Sequence, residues 1–124
     1  MNKKIRDQLR KESNNRANPN KNKCALAVAR TLGVDNEVRY LHTMTDLKRA
    51  ISKQYSLRSV KSMVKSDTVG GARKNLDGRA FAYVVMVDEH VLLLSRIGRT
   101  VVDTSPRRRD RRKIKGIWGV YDKA

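Results

Sequence analysis

The 124-residue chain sets 29 lysines and arginines against 12 aspartates and glutamates, a formal net charge of +17, with 39% apolar and 33% charged side chains. That length suits one domain able to bury roughly two thirds of its unfolded surface, and a single cysteine excludes an internal disulfide. No apolar run follows Met1-Asn2-Lys3-Lys4-Ile5-Arg6 that is long enough for a signal peptide or a membrane span, so the expected setting is a reducing, soluble compartment.

The charge is unevenly spread. Residues 1–24 carry eight basic and two acidic side chains, residues 106–124 carry the same numbers, and the 81 residues between them contribute thirteen basic against eight acidic. Ends of this kind attract polyanions by counterion release, without sequence preference; they serve equally as a solubilising fringe.

In chain order, residues 1–23 read as a basic, asparagine-rich arm, with Asn14, Asn15, Asn18, Asn20 and Asn22 around Pro19 and a frayed helix near Ile5 to Arg10. Residues 24–124 read as a single domain. It opens with a helix, Cys24-Ala25-Leu26-Ala27-Val28-Ala29-Arg30-Thr31-Leu32, with Asn22 as N-cap, Gly33 as C-cap and an apolar stripe at Ala25, Val28, Ala29 and Leu32. Thr43 or Thr45 caps a second helix, whose apolar positions Met44, Leu47, Ile51 and Tyr55 oppose Lys48, Arg49 and Lys53. Leu57, Val60, Met63 and Val64 continue the same spacing and predict a further short helix. Gly70-Gly71 and Asn75-Leu76-Asp77-Gly78 then predict turns, the glycine pair lacking the Gly-x-x-x-x-Gly-Lys spacing of a phosphate-binding loop.

The remainder predicts a sheet. Phe81 to Val87 is a continuous apolar run, as in a strand buried on both faces; Val91 to Leu94 and Thr100 to Val102 flank a hairpin turn at Gly98; Ile114 to Tyr121 supplies a fourth strand. Helices followed by antiparallel strands make an α+β fold, with the helices expected on one face of the sheet. The hairpin register stays open between two solutions. A four-residue loop pairing Ser95 with Thr100 places His90 diagonal to Asp103 on one face, whereas a three-residue loop places them on opposite faces.

The stretch from Arg79 through His90 to Leu94, followed by Gly98 and Val101-Val102-Asp103-Thr104, resembles the strand, His-led strand, turn and Asp-ended strand of papain-like cysteine peptidases; Asn18 through Ala29 resembles their cysteine-bearing helix. The similarity is greatest to compact papain-like proteins of tailed bacteriophages and covers about two thirds of the chain in order. It implies a papain-like α+β fold, with the Cys24 helix and further helices on an antiparallel sheet, and no cofactor. It implies Cys24 as nucleophile, His90 as general base and then general acid, and Asp103 as the orienting carboxylate; should the register turn Asp103 away, it could still serve from the strand end, or Asp88 could substitute. The oxyanion would be held by the Cys24 amide with Asn18 or Asn20, where the family commonly uses glutamine. Physical chemistry supports these roles: a cysteine at a helix N-terminus sees the positive end of the dipole, which favours the thiolate, and a carboxylate holds an imidazole in its useful tautomer.

Each residue also has a plainer reading. A free cysteine is commonly a small core filler, His90 beside Asp88 and Glu89 suits a surface turn, Asp103 suits a strand-ending Asx turn, and His42 has no evident partner. One cysteine and two distant histidines make no zinc site.

Pro106 to Lys115 forms a basic loop in which Arg107, Arg108, Arg109, Arg111, Arg112, Lys113 and Lys115 accompany one anion, Asp110. As a phosphate-gripping strip it would bind DNA or RNA backbones through arginine forks. Stacking platforms are scarce, so base reading is not expected. Two function classes follow. One is a phage-type cysteine peptidase or amidase-like acyl transferase, forming a Cys24 thioester on a peptide or related amide in the host cytoplasm or the virion. The other is a catalytically inactive papain-like scaffold, a basic virion protein contacting nucleic acid or an acidic protein surface.

Overall fold

The computed structural model describes residues 22–39, 41, 43–88, 90–103 and 111–123. The elements, in order, are α1 (Asn22–Leu32), α2 (Met44–Gln54), β1 (Tyr55–Ser59), α3 (Lys61–Val64), α4 (Val69–Lys74), β2 (Ala82–Val87), β3 (His90–Ser95), β4 (Thr100–Val102) and β5 (Ile114–Asp122). The five strands form one open antiparallel sheet in the order β1-β5-β2-β3-β4. Helices pack on this sheet, so the α+β class holds. The arm and basic-loop expectations at residues 1–21 and 104–110 lie outside the described residues, as do Tyr40, His42 and Glu89.

Helix α1 begins at Asn22, and every position of its predicted stripe, Ala25, Val28, Ala29 and Leu32, is buried. It ends in a Schellman arrangement, Gly33 at φ +73°, with Gly33 N–H donating to the Arg30 carbonyl and Val34 N–H to that of Ala29. Helix α2 starts at a capping box in which the Thr43 hydroxyl accepts from Asp46 N–H and the Asp46 carboxylate accepts from Thr43 N–H, both at 3.1 Å. Its buried residues, Leu47, Ala50 and Ile51, follow the predicted face.

Three expectations are corrected. Residues 55–59 are a strand rather than part of a helix: β1 pairs with β5 from Tyr55↔Asp122 to Ser59↔Trp118, and only residues 61–64 are helical beyond it. The spacing of Leu57, Val60, Met63 and Val64 fits a helix, but the long C-terminal strand offers an edge whose backbone groups need partners, and five residues suffice to fill it. Gly70-Gly71 is not a turn. Both glycines lie inside α4, started by Thr68, whose hydroxyl accepts from Gly71 N–H at 3.1 Å; a Cβ at Gly71 would overlap the Ser66 side chain. Finally, both sheet faces are covered. Cys24, Val28, Leu47 and Ile51 pack with Ala82, Val84, Val91, Leu93 and Val120 on one side, and Val64, Val69 and Ala72 pack with Tyr83, Val85, Leu92, Leu94 and Ile117 on the other. This two-sided burial explains why β2 and β3 read as unbroken apolar runs.

The β3–β4 hairpin settles the open register in an unexpected way. Ser95 N–H donates to the Arg99 carbonyl at 2.7 Å and Leu94 stands opposite Thr100, the pattern of the shorter loop, yet Leu93 stands opposite Val102. A bulge between these pairs adds one residue to β4 and restores the register of the longer loop. Continued by one residue, that register puts Asp103 opposite Leu92 and therefore one diagonal step from His90. Gly98, at φ +87°, makes the tight turn possible, and a Cβ there would stand 2.8 Å from the Arg73 carbonyl oxygen.

Candidate active site

Cys24 occupies the first turn of α1, where the helix dipole favours negative charge. His90 is the first residue of β3, and Asp103 directly follows β4. The three come from separate elements. Helix α1 packs against β3 through the core shared by Cys24, Val28, Val91 and Leu93, and this packing sets the sulfur beside the imidazole.

His90 Nε2 and Asp103 Oδ1 are 2.7 Å apart, with side chains only 10% and 14% exposed. With Nε2 engaged by the carboxylate, Nδ1 is the ring nitrogen left for the thiol. Burial pushes the Cys24 thiol up, but the hydrogen bond and charge of His90, together with the Val91 and Ala25 amides directed at the sulfur, outweigh it and hold the thiol below its ordinary value. Burial likewise pulls His90 down, and the Asp103 hydrogen bond and then the hydrogen bond and charge of Cys24 reverse that, holding the imidazole above its ordinary value. The two shifts have opposite signs and a common cause. Each favours the charged form of its own group, so the contact stabilises thiolate and imidazolium together, with the ring oriented by the Asp103 carboxylate.

Cys24 itself is 7% exposed. It therefore belongs to the core and at the same time touches the imidazole. His90 is not a surface-turn residue: it begins a ladder, paired with Val87. Asp88 does not replace Asp103, because its 81%-exposed carboxylate lies 3.9 Å from Lys115 Nζ. Asn18 and Asn20, expected at the oxyanion, lie outside the described residues, as do Arg107, Arg108 and Arg109. Arg111 and Arg112 lie in the turn before β5, Lys113 bridges Thr68, and Lys115 is already in β5. Arg112, Lys113 and Lys115, with Asp88, line an open cleft of about 450 Å³.

Two contributors had no readable signal in the sequence. The Val91 amide hydrogen-bonds to the sulfur, a backbone contact that side-chain identity does not reveal. Arg73, on α4, donates from Nη1 to the Gly98 carbonyl and from Nη2 to the Thr100 hydroxyl, both at 2.7 Å. It thereby clamps the turn whose far strand delivers Asp103.

Among the described residues no group of three or more His, Cys, Asp and Glu side chains could hold a metal ion, and no helix is long and apolar enough to cross a membrane. No family model, curated protein or solved structure matches the chain. The functional reading rests on the geometry.

Proposed function

We propose that the protein is a papain-like cysteine hydrolase or acyl transferase acting on a peptide or related amide. The observation that carries this reading is the contact chain from the Cys24 thiol through the His90 ring to the Asp103 carboxylate, closed at 2.7 Å between His90 and Asp103. Cys24 Sγ, as thiolate, attacks the acyl carbon, and the C=O electron pair moves onto oxygen at the positive end of α1. His90, as imidazolium, gives its proton to the departing amine while the C–N bond breaks. A thioester on Cys24 and a neutral imidazole remain. Neutral His90 then takes a proton from water or an acceptor amine, which attacks the thioester carbon and releases the sulfur as thiolate. Asp103 holds the ring and stabilises its charged form throughout.

The limited exposure of Cys24 favours small or extended acyl groups threaded past the hairpin over bulky, branched ones. Alkylation of the intact protein at neutral pH tests the proposal. Iodoacetamide should modify Cys24 faster than an ordinary thiol, and His90→Ala should slow it at least tenfold, while a bulky disulfide reagent should lag behind iodoacetamide. Slow labelling that ignores the histidine substitution would leave Cys24 as a core filler and remove the hydrolase reading.

A further inference from the structure

The catalytic histidine and the basic cleft share one end of the sheet. Val87, at the end of β2, pairs with His90 on one side and with Ile114 on the other. Adjacent strands lie about 4.8 Å apart, so the backbone at Ile114 is about 10 Å from that at His90. Ile114 is flanked by Lys113 and Lys115, which line the cleft with Arg112 and Asp88. An extended peptide advances about 3.3 Å per residue, so a chain with its scissile carbonyl at Cys24 can bring a side chain about three residues away to the cleft.

We propose that this cleft is a substrate subsite for an acidic side chain, a carboxylate or a phosphate ester, about three residues from the bond that is cleaved. The inference rests on the cysteine hydrolase reading and names its substrate class. Among the described residues three cations line the opening, and the one anion that joins them, Asp88, is held loosely by Lys115 at 3.9 Å with both groups largely exposed. An arriving carboxylate can take the place of Asp88 beside Lys115 while gaining Arg112 and Lys113. A nucleic-acid backbone is the poorer match. Asp88 repels a continuous phosphate chain, and among the described residues no aromatic side chain lines the cleft to stack a base.

The test uses the full chain and three irreversible peptidyl vinyl sulfones, identical except for glutamate, glutamine or lysine three residues before the warhead, with Cys24 modification followed by mass spectrometry. At low salt the glutamate probe should react about tenfold faster than the lysine probe, with glutamine between. The preference should shrink with added salt, invert in Lys113→Glu/Lys115→Glu, persist in Lys113→Arg/Lys115→Arg, and grow in Asp88→Asn. Equal rates for all three probes, with iodoacetamide still alkylating Cys24 quickly in the unaltered chain, would overturn the subsite and leave the hydrolase standing. Slow iodoacetamide alkylation would overturn both. Loss of oligonucleotide binding in the charge-reversed variant, with probe preference unchanged, would make the cleft a nucleic-acid contact and also overturn the inference.

Discussion

Replacing Asp103 by asparagine isolates the charge of the carboxylate from its shape. Asparagine keeps the size of the side chain and an oxygen at Oδ1, so the 2.7 Å contact with His90 Nε2 can survive as a neutral hydrogen bond. What disappears is the charge assistance to an imidazolium that is largely withdrawn from water, with His90 10% exposed. A hydrogen bond to a charged group contributes about 1.5–3 kcal/mol, which corresponds to roughly a 10- to 150-fold change in the population of the thiolate–imidazolium state. The sign follows from the shifts. His90 titrates above its ordinary value, so its charge and the stabilisation that goes with it are lost as pH rises through that raised value. Cys24 titrates below its ordinary value, so the thiolate is lost only when pH falls through that lowered value. Both shifts raise the share of molecules in which the two groups are charged together, and Asp103→Asn should lower that share by moving the His90 and Cys24 titrations back toward ordinary values. The assay is the second-order rate of iodoacetamide alkylation of Cys24 from pH 4 to 10, with circular dichroism confirming that the fold is retained. At pH 7 the rate should fall at least tenfold. An unchanged rate with an unchanged pH profile would show that the carboxylate does not sustain the ion pair, and the catalytic assignment of Asp103 would fail.

Other substitutions probe the scaffold. Leu93→Ala empties a 1%-exposed position where β3 meets α1 and should cost about 2–5 kcal/mol in urea unfolding; a loss below about 1 kcal/mol would mean that this core does not anchor the Cys24 helix. Gly98→Ala forces a side chain into φ +87° and against the Arg73 carbonyl, so unfolding should come about 1–3 kcal/mol more easily, with slower alkylation of Cys24 as the hairpin shifts. Thr43→Ala removes one half of the α2 capping box and should lower stability by about 1 kcal/mol without changing the alkylation rate.

Local chemistry made several elements legible in the sequence. Alanine, valine and leucine at helical spacing between a capping region and Gly33 can bury only one face, so α1 and its stripe follow without knowledge of any neighbour. The unbroken apolar run in β2, the Gly98 turn and the strand from Ile114 were equally local signals. Cys24 and His90 could be singled out because the chain holds one cysteine and two histidines, whereas Asp103 is one of nine aspartates and its contact with the ring is a matter of tertiary structure. The segment from Tyr55 to Ser59 was not readable, since its residues suit either a helix face or an edge strand. Its conformation follows from the unpaired side of β5, more than fifty residues later.

Composition and spacing by themselves determined the α+β class, the first helix, most of the strands and the residues with reactive groups, because each depends on interactions within a few neighbours along the chain. Tertiary structure alone decided the two-sided coverage of the sheet, the strand formed by residues 55–59, and the meeting of Cys24 with His90. It also decided that Asp103 reaches the same ring, since a single extra residue in β4 changes which side of the ladder a side chain takes. Such choices depend on backbone hydrogen bonds and close packing between segments far apart in sequence, and no short window of residues contains both partners.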